Sequence, residues 1–172
     1  VLSVAATDVN DKKWTNSSYS TNVDLAAPGH NVFSTWPGPG FVSSSGTSMA
    51  APIVSAAAAL VASYYPQLNM LQVAERLRTT ADVIDTIAAN LPYQGKLGKG
   101  RVNLFRALTE PFNKPSVRMV KYQLTDGNDE VYMMGDTLRL TLKITNYLAP
   151  TSSHFYTKIS SSSPGIVFLD NI

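Results

Sequence analysis

Ser48 stands in the heptapeptide Gly46-Thr47-Ser48-Met49-Ala50-Ala51-Pro52, between a run of small residues and a long alanine-rich stretch. From Ala50 to Tyr65 the chain is uncharged and rich in alanine, which predicts a helix buried on most sides. The first free N–H groups of that helix and its positive dipole end then face Ser48. Such an end stabilises negative charge developing on a substrate oxygen, so the chemistry this placement fits is acyl transfer by a serine nucleophile. Gly46 and Thr47 support it by letting the backbone turn tightly and bring a substrate carbonyl close. The competing reading makes Ser48 an N-cap that satisfies a helix N–H, and Gly46 a plain turn residue.

Few other side chains offer chemistry. His30 follows Pro28-Gly29 and reads as a solvated loop residue, and His154 lies in the Ser/Thr-rich start of a strand candidate. Asp24 is a lone carboxylate beside a turn and a weak candidate for a cation. No carboxylates show calcium-loop spacing, so no metal site is expected. Gly95-Lys96-Leu97-Gly98-Lys99-Gly100 lacks the Gly-Lys-Ser/Thr ending of a phosphate loop and reads as a flexible connection.

The elements that must position Ser48 follow from pattern. Val1–Thr7 is a short apolar run closed by Asp8, and Val23–Ala26 is a second one closed by Pro28-Gly29; both read as strands. The stretches 31–36 and 40–44 flank Pro37-Gly38-Pro39 and read as a hairpin leading into the serine loop. Asn69 with Gln72 three residues on forms a capping-box signature, and Leu71, Val73, Ala74 and Leu77 give helical spacing through Arg78. Val102–Leu108 reads as a short helix with Val102, Phe105 and Leu108 on one side. Pro52 is expected where a missing N–H costs little.

Glu110 to Pro115 carries two prolines and marks a stiff connector, dividing the chain into units 1–110 and 111–172. Beyond it, Leu138, Leu140, Leu142 and Ile144 alternate with polar residues, the period of a half-buried strand. Val117–Thr125, Val131–Met134 and Phe155–Ile159 are further strand candidates, with Asp126-Gly127-Asn128 as a turn. The first unit is of α/β class with a mainly parallel sheet. The second resembles part of an immunoglobulin-like sandwich, with fewer strands than the seven or so a whole one needs.

The sequence GTSMAAPIV, with VDLAAPG before it and GKGRVNLFRAL after it, resembles the serine segment of the subtilisin-like serine peptidases over about residues 1–109. The resemblance implies that Ser48 is the nucleophile of a serine endopeptidase acting on proteins or peptides. It also implies that the catalytic Asp, the catalytic His and the oxyanion-hole Asn precede this segment. None of those motifs occurs here, and neither His30 nor His154 stands in the family's His-Gly-Thr context. The chain therefore reads as the C-terminal part of a longer peptidase, inactive alone. Ile53 and Ser55 depart from the family's usual His and Gly without touching the nucleophile assignment. The resemblance further implies secretion or cell-surface location, no required cofactor, and room for structural calcium in the parent.

A net charge of +2 with 15% charged residues gives no basic stripe for nucleic acid. Serines and Pro66 interrupt the apolar helix, so no membrane span is expected. The absence of cysteine excludes a thiol nucleophile and a disulfide scaffold. Two other functions fit parts of the chain. A non-catalytic binding or accessory segment, or a degenerate peptidase homologue, would keep the same serine motif. An α/β-hydrolase elbow would use His154 after the serine, with Ala50 replacing the last Gly. A strand such as Val1–Thr7, cut from a larger sheet, would expose an edge and apolar faces, which predicts self-association or exchange of elements.

Overall fold

The computed structural model describes residues 1–128, 131–151 and 157–168. Strands β1 (Val4–Thr7) and β2 (Leu25–Pro28) pair in parallel, with Val4 opposite Leu25 and Ala6 opposite Ala27. β2 begins two residues later than its apolar pattern predicts. Val23 N–H is bonded to Ser20 O in a turn, and the ladder starts only where the Asp24 and Leu25 amides both reach Ser3 O. Gly100–Val102 continues the sheet beyond β2, since Ala26 N–H donates to Gly100 O and Val102 N–H to Ala26 O, each at 2.8 Å.

Both faces of β1 and β2 are covered, which is why four of their residues are alanines that leave room for close neighbours. Ala6, Leu25 and Ala27 pack under helix α1 (Thr47–Tyr64), with Val73 and Leu77 of α2 (Met70–Thr79) and Ala107 of α3 (Leu104–Thr109) in the same cluster. On the other face Ala5 and Ala26 meet Ile84 and Leu97. The outer edge of β1 is also partly filled. Asp8 Oδ1 accepts from the Asn10 and Lys12 amides, turning the chain back so that Trp14 N–H donates to Ala6 O and Ser17 Oγ accepts from Ala6 N–H. The expected bare edge and exposed faces are therefore absent at Ala5–Thr7, while Val1, at the start of the expected strand, is fully exposed.

α1 is less buried than its composition implies. Only Ala50, Val54, Ala57 and Val61 are fully buried, a single stripe at helical spacing, while Leu60 is 52% exposed. Apolar grooves run along its flanks, one lined by Ile53, Ala56 and Leu60, the other by Ala51, Ser55 and Ala58. The helix has 18 residues and a mean hydropathy of 1.4, so it is long and apolar enough to cross a membrane by length and composition. Ser48, Ser55 and Ser63 do not dilute its alanines and valines below that limit, which a helix of a packed core also meets. Here its buried stripe lies against β1 and β2.

α2 starts as the capping box requires: Asn69 Oδ1 accepts from the Leu71 and Gln72 amides, and Gln72 Oε1 accepts from Asn69 N–H. Its buried stripe is Val73, Glu75, Arg76 and Leu77, whereas Leu71 is 58% exposed. α3 likewise buries Ala107 and leaves Phe105 exposed, because the helix is only six residues long and meets the core through its smallest side chain.

β3 (Val32–Trp36) and β4 (Gly40–Ser44) form the expected hairpin, with Val32 opposite Ser44 and Gly38 at φ 93° in the turn. β5 (Val117–Thr125) and β6 (Arg139–Asn146) form a second antiparallel ribbon with an irregularity between Met119 and Lys121. Val131–Met134 is not a strand. Asp136 Oδ2 accepts from Met133 N–H at 2.6 Å and Asp136 N–H returns to Met133 O, which closes a turn there instead. Phe155 and Tyr156 lie outside the described residues, and Thr157–Ile159 is irregular. Among the described residues the ribbon has no second sheet over either face, so an immunoglobulin-like sandwich is not formed by them.

The proline-marked connector is docked, not a free spacer. Arg76, 1% exposed, donates from Nε to Ala107 O at 2.8 Å and from its other nitrogens to the carbonyls of Arg106, Glu110 and Pro111. Its guanidinium carbon lies 4.2 Å from the Phe112 ring centroid. Next along the chain, Glu75 accepts from Ser116 Oγ and from Arg118 Nη1, tying the start of β5 to α2.

Candidate active site

β4 ends at Ser44 and α1 begins at Thr47, so Ser48 is the second residue of the helix. The N-cap is Gly46, which makes no side-chain capping bond. This removes the capping explanation for Ser48. The Met49 and Ala50 amides both donate to Gly46 O, at 3.0 and 3.3 Å. The Ser48 side chain is exposed, and neither its Oγ nor its N–H has a bonded partner among the described residues. A hydroxyl and an amide donor on one residue thus point free at the positive end of an 18-residue helix.

Pro52 is the sixth helical residue, deeper than expected. With no N–H it forfeits the helix bond to the Ser48 carbonyl.

The turn before Ser48 is fastened from β2. Gly46 N–H donates to Gly29 O at 2.7 Å, and Asn31 N–H donates to Ser45 Oγ at 2.9 Å. Gly29 has no substitute here, because a Cβ on it would lie 2.5 Å from Ala6 Cβ and 2.7 Å from Gly46 O. At Gly46 a Cβ would lie 3.6 Å from Ser48 N, on the approach to the free amide. Thr47 begins the helix beside it.

No described histidine serves Ser48. His30 is exposed as expected, but its Nδ1 lies 3.1 Å from Ser45 Oγ and its ring stacks on Trp14 at a centroid distance of 6.0 Å. His154 lies outside the described residues. The hydrolase elbow is also contradicted: β4 pairs antiparallel with β3 in a hairpin and is not a central parallel strand.

Asp24 is not available to a cation. Its carboxylate accepts from Ser3 N–H at 3.0 Å and pairs with Arg118 at 3.2 Å and Arg78 at 3.5 Å. Among the described residues no three His, Cys, Asp or Glu side chains converge to hold a metal. The strongest carboxylate site is elsewhere. Burial pushes the Asp82 carboxyl up, but hydrogen bonds from Arg101, Asn103 and Arg106 together outweigh it and hold it below the usual carboxylate range. Sequence reading missed Asp82, Glu75 and Arg76, since nothing in their spacing marks partners 19 to 43 residues away.

The structure thus presents an exposed serine at the start of an apolar helix that packs, in an α/β unit, on a doubly covered parallel sheet. Residues 1–120 match the subtilase family, and the chain belongs to it. It is 40% identical to Subtilisin DY of Bacillus licheniformis over 104 residues, 60% of this chain and 35% of that protein. Against the thermostable alkaline protease of Halalkalibacterium halodurans it is 46% identical over 81 residues, 47% of this chain and 22% of the other. Among solved structures, the patellamide maturation protease PatA superposes with a TM-score of 0.56 at 30% identity, over 63% of this chain and 42% of that one. The chain thus spans about a third or less of these curated relatives.

Proposed function

We propose that this chain carries the nucleophile of a subtilisin-like serine endopeptidase, with residues 1–110 forming the serine-bearing part of the catalytic domain. The observation that supports it is Ser48 itself: an exposed hydroxyl and an unbonded N–H at the second position of α1. Ser48 Oγ attacks the scissile carbonyl carbon, and its proton passes to a histidine supplied from outside residues 1–172. The carbonyl oxygen, now negative, accepts from Ser48 N–H and sits at the helix end. Expulsion of the amine leaves the acyl-enzyme, which water then hydrolyses. Without that base the chain alone is close to inert.

Proteins and peptides are the substrates, and the parent acts outside the cell or at its surface. Residues 111–172 form a β-rich accessory segment. The contacts of Arg76 and Glu75 bind its first residues, 111–118, to the catalytic part, and Gln72 Nε2 donates to Tyr147 O just beyond the second strand of the ribbon. A fluorophosphonate probe tests the assignment. Ser48 is labelled rapidly in the longer protein and barely in residues 1–172; labelling elsewhere in the longer protein, or none, overturns it.

A further inference from the structure

Ser45, three residues before Ser48, is gripped by the turn that leaves β2. Asn31 N–H donates to its Oγ at 2.9 Å, and His30 Nδ1 lies 3.1 Å from the same oxygen. A serine hydroxyl has one proton and two lone pairs, so it accepts from Asn31 and still bonds His30 in either neutral tautomer. One residue on, Gly46 N–H is bonded to Gly29 O at 2.7 Å. His30 stacks on Trp14 with an interplanar angle of 20°, and Trp14 N–H is bonded to Ala6 O in β1.

A continuous line of contacts therefore runs from the sheet through Trp14 and His30 to Ser45 and the turn that presents Ser48. On the other side of that turn, the Ser48 hydroxyl and amide have no partner among the described residues. The orientation of the nucleophile rests on the Gly46–Gly29 bond, on the Ser45 clasp and on the helix that follows.

We propose that Ser45 and His30 are positioning residues for Ser48: their bond fixes the angle at which the Ser48 hydroxyl and N–H are offered to the substrate. The proposal rests on the reading of Ser48 as nucleophile. The clasp lies at an exposed site, where a hydrogen bond adds little to stability. Its effect falls on geometry, and displacements of about 1 Å at a reacting group cost up to about a hundredfold in rate. Loss of the clasp therefore lowers kcat while KM and the unfolding midpoint stay close to wild type.

The test uses the full-length protein that contains these residues, assayed for peptide hydrolysis and for fluorophosphonate labelling of Ser48. Ser45→Ala is expected to lower kcat roughly tenfold with KM within about twofold, and His30→Ala to lower it less, since Asn31 still holds Ser45. Ser45→Thr keeps the oxygen and restores kcat. If Ser48 is labelled in the wild type and Ser45→Ala retains full kcat, or loses it only in step with the unfolding midpoint, positioning is overturned and the nucleophile reading stands. If wild-type Ser48 is never labelled, the nucleophile reading fails first and takes the clasp with it.

Discussion

The Gly46 amide donates to the Gly29 carbonyl at 2.7 Å, joining the exit of β2 to the entrance of α1. Sixteen intervening residues, including the whole β3–β4 hairpin, are looped out from this one corner, 30–45. Ser48 is placed by the sheet through this bond and not by the hairpin that precedes it in sequence.

Gly29→Ala puts a methyl group into Ala6 Cβ and Gly46 O at distances that real Cβ atoms do not occupy. Both neighbours belong to the packed core or the serine turn, so neither gives way cheaply. The expected cost is ~2 kcal/mol of unfolding free energy. A urea midpoint equal to wild type would show that the corner is looser than described.

Arg76 holds four carbonyls at the end of α3 and in the connector. Arg76→Leu fills similar space but leaves those acceptors without their donor, for a loss of about 3 kcal/mol. Arg76→Lys does not restore it, because a single ammonium cannot reach out as a planar fork does. Limited proteolysis gives the second readout: cleavage within 111–116 is slow in wild type and fast in both variants. Wild-type cleavage rates in Arg76→Leu would mean that the contacts of Glu75, Asp24 and Tyr65 suffice to hold the connector.

Asp82 governs part of the acid response. Its carboxyl is held below the ordinary range in the folded chain by three donors that outweigh burial. Its stabilisation is therefore fully present above the unfolded-state value of about 3.9 and is lost as pH falls through the lower folded value. Asp82→Asn should be less stable by ~2 kcal/mol at pH 7 and lose less on acidification from about pH 5 to 2. Equal acid slopes in urea titrations of the two proteins would refute this.

Local chemistry made much of this readable in advance. Asn69 and Gln72 meet across a single turn, so the capping box appears in the structure as the residues spell it. The Pro-Gly hairpin and the alternating strand 138–145 depend on neighbours in sequence and were equally legible. Where the reading failed, the deciding partner was distant. The α2 face turned on Arg76 finding carbonyls 30 to 35 residues away, and Asp24 was claimed by Arg118 across 94 residues. Val131–Met134 failed because one carboxylate, Asp136, offered the backbone a turn in place of a ladder.

By itself the sequence determined the family, through the resemblance carried by GTSMAAPIV and its flanking motifs, and it singled out Ser48 as the candidate nucleophile, because small residues running into an alanine-rich helix are a local pattern of backbone and dipole. Only the tertiary structure decided how that serine is held. The bonds from Gly29 to Gly46 and from His30 and Asn31 to Ser45, the double cover of β1 and β2, and the docking of the connector all join residues far apart in the chain. Such contacts exist only once the backbone has closed around its core, and no spacing along the sequence records them.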